Sequence, residues 1–194
     1  MKILIAVPTF ETIQPEVFKA IYNINSEEHD LYFDFVRGYD CAIARNEIGK
    51  IAQAGNFDYV LMIDSDTVVP ADVLDFMLDP PVDICLGVCP RKNTKEGKTA
   101  IVKLGSFEYH DNYFYSNLPK ERTKVKGGGF ACALIKTSVF TTCDYPWFQY
   151  VTQEDWRTMS EDYYFCEMAR MMEIDIWMDP RVKCGHLARY YQFD

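Results

Sequence analysis

The chain has 194 residues, 48% of them hydrophobic, with 13 Tyr, 13 Phe and a formal net charge of −9. That length supports one domain with a substantial core, and the composition excludes general disorder. The acidic balance argues against a general polyanion binder, and no stretch approaches the roughly 20 apolar residues of a membrane helix, so a soluble protein without a membrane span is expected.

Lys2–Val7 reads as the first strand and is too short an apolar run for a signal-peptide core. Pro15 then opens a helix whose apolar face is Val17, Ala20, Ile21 and Ile24. Leu31–Val36 is the second strand. From Cys41 to Ala54 apolar residues recur at 44, 48, 51 and 52, and Gly55-Asn56 supplies a helix stop. Tyr59–Ile63 forms a third strand, Pro70–Leu78 a short helix and Val82–Val88 a fourth strand. The order β-α-β-α-β-α-β implies right-handed crossovers and a mostly parallel sheet. Residues 90–126 are rich in Lys, Gly, Asn and Tyr. Short runs there, Phe107-Glu108-Tyr109 and Tyr113-Phe114-Tyr115, suggest hairpin strands or a mobile segment. Gly127-Gly128-Gly129 precedes the apolar segment Phe130–Ile135, Ser160 caps a helix running to about Met172, and Ile174–Met178 is the final strand.

Charge is unevenly placed. Arg91 to Lys126 carries nine Lys/Arg against four Asp/Glu, a local +5 that leaves −14 elsewhere. Such a region suits a phosphorylated donor, an anionic acceptor or solubility alone. Seven cysteines form an odd set without C-x-x-C, so reduced, cytosolic thiols are expected. A Cys85/Cys89 metal pair lacks a second pair of ligands.

The most informative stretch is Asp58–Asp66, where an apolar run leads directly into Asp64-Ser65-Asp66. Tyr59–Ile63 has the character of a buried central strand, and its carboxylates fall where strand meets loop. Ligands of open α/β sheets gather at that edge. Alternate residues of an extended segment point the same way, so Asp64 and Asp66 can share one small volume while Ser65 points elsewhere. Two like charges so close call for a hard divalent cation, Mg²⁺ or Mn²⁺, with a nucleotide diphosphate as its second ligand. The plain alternative is a helix N-cap with a solvated neighbour.

Several positions together resemble the GT-A glycosyltransferases, most closely the short family-2-like nucleotide-sugar transferases. Ile5-Ala6-Val7-Pro8-Thr9-Phe10 looks like the opening strand whose loop holds the nucleotide base, with Glu11 following. Ala44-Arg45-Asn46-Glu47-Ile48-Gly49 is similar to the helix motif in which Arg45 would lie near the nucleotide and Asn46 would help build the pocket. Asp64-Ser65-Asp66 stands at the right sheet edge, with Asp66 binding the metal and Asp64 touching the ribose or assisting the metal. Gly127-Gly128-Gly129-Phe130 resembles the loop shaping the sugar and acceptor side, so Gly128 and Gly129 join the donor-binding set. Glu161-Asp162 is similar to the catalytic acidic pair near the acceptor, and Cys184-Gly185-His186 to the late histidine that completes the metal site. The resemblance implies an α/β, Rossmann-like nucleotide-diphospho-sugar transferase fold in one domain over 1–194. Residues 1–90 would form the donor half and 91–194 the acceptor half.

Two carboxylates and an imidazole supply a donor set suited to Mn²⁺ and tolerable for Mg²⁺. Asp162 at a helix N-terminus, where the dipole favours a carboxylate, would take the acceptor proton and invert the anomeric centre. The donor implied by the resemblance would be a nucleotide-diphosphate sugar, with UDP the first guess, and the acceptor a saccharide, a protein, a lipid-linked glycan or a modified nucleic acid. Trp147, Tyr150 and Trp156 are candidates for stacking on a sugar ring, whereas Tyr22, Tyr39 and Tyr190 read as packing residues. No Q-x-x-R-W motif of processive synthases occurs, so a single transfer is expected. Two alternatives stay open. Asp64-Ser65-Asp66 also resembles the first motif of haloacid-dehalogenase-type phosphohydrolases, although that motif normally sits on the first strand. A non-catalytic sugar-nucleotide-binding module would differ only in turnover.

Overall fold

The computed structural model describes residues 1–10, 12–25, 27–38, 40–89, 118–152 and 158–187, and the backbone alone of 100–103 and 112–114. Glu11, Tyr39, Phe107–Tyr109, Tyr115, Trp156 and Tyr190 lie outside the described residues. Apolar runs at β1 (Lys2–Thr9), β3 (Tyr59–Ile63) and β5 (Ile84–Val88) become central strands, buried on both faces. Around them, in chain order, come α1 (Pro15–Tyr22), β2 (Asp30–Arg37), α2 (Cys41–Ala54), β4 (Thr67–Val68), α3 (Val73–Met77), β6 (Ala100–Lys103) and β7 (Asn112–Phe114). The remainder is β8 (Thr123–Val125), β9 (Gly127–Gly128), β10 (Cys132–Lys136), α4 (Val139–Thr142), β11 (Val151–Thr152), β12 (Thr158–Met159), α5 (Glu161–Met171), β13 (Ile176–Lys183) and β14 (Gly185–His186).

The main sheet has the order β2-β1-β3-β10-β5-β13-β8. Strands β2, β1, β3, β5 and β13 run one way, so the sheet is mostly parallel, as expected. The exceptions are β10, which lies antiparallel between β3 and β5, and β8, antiparallel at the far edge. Strand β13 continues past the expected stop at Met178 because Pro180 sits where its register with β5 shifts, a place where a strand tolerates proline. In the middle region β6 pairs antiparallel with β7 on one side and β9 on the other; of the two runs read as hairpin strands, Tyr113-Phe114 falls in β7, and Phe107–Tyr109 lies outside the described residues.

Helices cover both faces. On one, α2, α4 and α5 pack Ala42, Ile48, Ala52, Phe140, Phe165 and Ala169 over Leu4, Ala6, Val60, Met62 and Ile84. On the other, α1 and α3 set Val17, Ile21, Val73, Leu74 and Met77 against Ile3, Ile5, Val7, Leu61 and Ile63. The alternation along each strand sends neighbours to opposite cores. Asp40 caps α2 by accepting the Ile43 N–H at 2.8 Å. The stop at Gly55-Asn56 falls where read, with Asn56 taking the left-handed turn at φ 52°. Among the described residues, no helix is long and apolar enough to cross a membrane.

Part of the basic region is structural. Arg122 donates to Asp179, which is fully buried and also held by Arg181, and Lys124 pairs with Asp175. Burial alone would raise the Asp179 carboxyl, but the hydrogen bonds from Arg181 and Arg122 outweigh it and hold it below the usual range.

Candidate active site

The parallel strands β1, β3, β5 and β13 end at one edge, where the segments after β1, β3 and β13 carry candidate residues and helices α2 and α5 supply Arg45, Glu161 and Asp162. Strand β1 delivers Pro8, Thr9 and Phe10. Pro8 and Thr9 are buried and Phe10 is exposed. Strand β3 ends at Ile63 and releases Asp64, whose N–H is held by Ala131 O at 3.0 Å, while Thr67 N–H closes a turn onto Asp64 O. The carboxylates do not cap a helix. Thr67–Val68 goes straight into β4, and the N-cap of α3 is Asp72, which removes the N-cap reading. Ser65 lends its carbonyl to the Gln14 N–H.

Strand β4 pairs antiparallel with β14, setting His186 opposite Thr67. The Leu187 N–H donates to Asp66 O at 2.9 Å. This short ladder brings His186 Nε2 to 3.4 Å from Asp66 Oδ1, with both side chains partly exposed. Asp64 is engaged differently. Its Oδ1 accepts from Arg45 Nη2 at 2.8 Å, and among the described residues no group of three His, Cys, Asp or Glu side chains gathers tightly enough to hold a metal alone. Of the three expected ligands the structure thus brings Asp66 and His186 together and pairs Asp64 with the Arg45 guanidinium. A carboxylate oxygen and an imidazole nitrogen fit two positions of Mn²⁺ or Mg²⁺, leaving the others to phosphate oxygens and water.

Arg45 is the hub. It lies on α2 with its side chain only 2% exposed, and Nη1 donates to Glu161 Oε1 at 2.7 Å. Its ring of partners is completed by Phe130 O at 3.4 Å and the Phe130 ring beneath. Nε is buried without a partner. Burial alone would lower the Arg45 pKa, but Asp64 and Glu161 raise it above its ordinary value. Glu161 is buried too, and burial raises its carboxyl above the ordinary range despite Arg45. Half-exposed Tyr150 stands beside Glu161, and its phenol is raised by burial and then by that carboxylate.

Asp162 occupies the first turn of α5. Its Oδ1 accepts the Tyr163 N–H at 2.8 Å and the Ser160 hydroxyl. Ser160 holds the N-cap position but spends its hydroxyl on Asp162 rather than on the helix backbone. The other oxygen, Oδ2, lies 3.5 Å from where a Cβ on Gly129 would stand. Gly127 has a firmer reason to be glycine, since a Cβ there would meet Cys166 Cβ at 2.9 Å. Bare backbone at β9 lets α5 approach, and Cys166 Sγ reaches Gly128 O.

Other expected site residues face elsewhere. Asn46 is buried, with Nδ2 donating to Phe148 O at 2.7 Å and Oδ1 accepting the N–H groups of Trp147 and Phe148. It clamps the Trp147-Phe148 loop, as Arg45 pairs Asp64 and Glu161, and both side chains are spent on these internal contacts. Trp147 is no sugar platform: it is buried, its indole donates to Cys143 O, and it fills the gap above Gly49, where a Cβ would come within 2.7 Å. Tyr22 is no packing residue, being 81% exposed. Cys41 was missed by the sequence reading. It is exposed at the start of α2, one helical turn before Arg45, and partial desolvation of its sulfur by neighbouring groups pushes the thiol up to about 11. Its i, i+4 spacing from Arg45 was the available signal.

No protein-family model matches the sequence, and no curated protein does either. Solved structures do match over nearly the whole chain. The crystal structure of A197 from STIV superposes with a TM-score of 0.65 at 14% identity, over 97% of this chain and 87% of that one. S. aureus TarS 1-349 in complex with UDP-GlcNAc gives 0.57 at 14% identity, over 99% of this chain and 60% of that one. GalNAc-T7 with UDP, GalNAc and Mn2+ gives 0.65 at 8% identity, over 97% of this chain and 43% of that one. The chain thus spans less than two thirds of the last two, and a T. maritima inositol-1-phosphate CTP transferase shares the architecture as well. The chain has a GT-A-like fold.

Proposed function

We propose that the chain is a glycosyltransferase moving a sugar from a nucleotide-diphosphate sugar to an acceptor hydroxyl. The observation that carries this reading is the β4–β14 ladder, which sets His186 against Asp66 at the ligand-binding edge of a GT-A-like sheet. A UDP-sugar donor is supported by the two matching structures that hold UDP or UDP-GlcNAc. Pro8, Thr9 and Phe10, with Glu11 after them, would receive the base, and Gly128 and Gly129 would leave room for the sugar. Asp66 and His186, with Asp64 as the third expected ligand, would hold Mn²⁺ or Mg²⁺, which when bound offsets charge on the departing diphosphate. The domain reading is a single unit with donor half 1–90 and acceptor half 91–194.

Asp162 is the base in this reading. One of its oxygens is anchored by Ser160 and Tyr163, and the other faces the Gly129 backbone. Oδ2 takes the proton of the acceptor hydroxyl as the acceptor oxygen bonds to the anomeric carbon. The bond from that carbon to the diphosphate oxygen breaks with its electrons, and the nucleotide diphosphate leaves from the opposite face, inverting the centre. Glu161 is a positioning residue, since its carboxylate is buried against Arg45. The Arg45–Asp64 pair weighs against the phosphohydrolase alternative, which needs Asp64 as an open nucleophile.

The test is thermal melting with UDP-, GDP-, CDP- and TDP-sugars, each with Mn²⁺, Mg²⁺ or EDTA. A ligand that binds only the native state raises apparent stability, so metal-dependent stabilisation by one nucleotide class is the expected result. No response to any of them overturns the reading. Stabilisation without sugar transfer or hydrolysis favours the binding module.

A further inference from the structure

Strand β2 is the free edge of the main sheet, pairing only with β1 among the described strands. Its sequence, Asp30-Leu31-Tyr32-Phe33-Asp34-Phe35-Val36-Arg37, is mostly apolar, yet nearly every side chain is exposed. Tyr32, Phe33 and Phe35 stand 49%, 41% and 39% exposed, and the two phenylalanine rings pack edge to face at 4.5 Å. Register with Ile3, Ile5 and Val7 puts Leu31, Phe33 and Phe35 on the face that α1 covers at β1. Helix α1 adds exposed Phe18 and Tyr22, one turn apart, to the same layer. Free edges are ordinarily guarded by charged side chains, lysine above all, by proline, by a bulge or by shortness. Strand β2 carries Asp30, Asp34 and Arg37 but no lysine, proline or bulge, and its register with β1 is unbroken over eight residues.

We infer that β2 is a homodimer interface, pairing antiparallel with β2 of a second copy so that two sheets become one. A two-fold axis normal to the sheet keeps each face continuous, which requires that paired residues share parity along the strand. The two longest overlaps of this kind are centred on Phe33 or on Asp34. Centring on Asp34 sets that carboxylate against its own copy, and like charges directly opposite are destabilising. Centring on Phe33 pairs Phe33 with Phe33 and Leu31 with Phe35, building one aromatic stripe across the axis. On the other face it sets Asp34 against the Tyr32 phenol, a hydrogen-bond donor, and no acid opposes an acid. Of the two self-pairings, the strand's own charge pattern therefore favours the one centred on Phe33.

Size-exclusion chromatography with light scattering over a concentration series tests this on the full chain. The expected result is twice the monomer mass for the parent and a monomer for Phe33→Asp, with an unchanged circular dichroism spectrum. Register is read in a Cys41→Ser background, which removes the exposed native thiol. There, Phe33→Cys forms a disulfide-linked dimer under mild oxidation, at least tenfold more than Phe35→Cys, whose partner across the axis is Leu31. A monomer at every concentration overturns the proposal, whatever else then covers the face. A dimer that survives Phe33→Asp and fails to cross-link through Phe33→Cys also overturns it.

Discussion

Replacing Arg45 with methionine keeps most of the side-chain volume and removes one charge from beneath the candidate site. In the parent, that guanidinium holds Asp64 at 2.8 Å and Glu161 at 2.7 Å. Breaking a buried pair by removing one partner costs about 3–5 kcal/mol, because the other charge is left uncompensated. Glu161 is buried and bears that cost in full, whereas Asp64 is 28% exposed and water screens part of its charge. The expected loss for Arg45→Met is therefore within that single-pair range rather than twice it, or about 10 °C in Tm for a domain of this size. Urea denaturation at neutral pH measures it. Two further readouts separate charge from packing. Adding Glu161→Gln to Arg45→Met removes the stranded carboxylate and should recover part of the loss, a coupling visible in the double-mutant cycle. Burial already raises the Glu161 carboxyl, and without Arg45 it rises further. Below that pKa the group is neutral in the folded variant, so the gap between parent and variant narrows as pH falls through the carboxylate range. A loss below about 1 kcal/mol, the scale of an exposed pair, or a gap that does not change with pH, refutes the view of Arg45 as a buried charge hub.

Asp66→Ala is expected to abolish the metal-dependent part of donor stabilisation while leaving the metal-free melting curve in place, and an unchanged response to EDTA contradicts the assignment. Asp162→Asn should keep donor binding but slow transfer by about 10²–10⁴-fold, the usual share of general-base catalysis, as read from steady-state kinetics with the preferred donor. Asp179→Asn is expected to cost about 3 kcal/mol, the low end for a broken buried pair, because partly exposed Arg181 can return to water. Its folded carboxyl is held below the ordinary value, so that stability is present at neutral pH and is lost as pH falls below about 4. The parent and Asp179→Asn denaturation midpoints should converge there, and a constant gap would contradict the pairing.

Local features were legible in the residues because their causes are local. Burial of Tyr59–Ile63 follows from an unbroken apolar run, and the strand ends where Asp64 begins. The α2 stop at Gly55-Asn56 and the Pro15 start of α1 rest on backbone rules that act over two or three residues. Features that depend on a partner far along the chain were not. Nothing within Phe130–Ile135 tells that β10 inserts antiparallel between β3 and β5, since a fully buried strand looks the same in either direction. Trp147 read as a candidate sugar platform because its burial depends on Gly49, nearly a hundred positions earlier, leaving a gap for it. Tyr22 read as packing because the helical face was drawn without knowing that α1 lies over β1 and leaves its outer flank open.

By itself, the sequence determined the main strands and helices of the first ninety residues and α5, which residue types carry the candidate chemistry, and that Asp64 and Asp66 follow a central strand, but not the short strands β4 and β14. Periodicity and turn chemistry are short-range properties, and they write themselves into neighbouring residues. Only the tertiary structure decided how those carboxylates are divided. Arg45 reaches Asp64 and, 116 positions away, Glu161, while the β4–β14 ladder delivers His186 to Asp66. Charge pairing across such separations is set by strand order and register, which fix which groups share a low-dielectric space and so which partner each carboxylate meets.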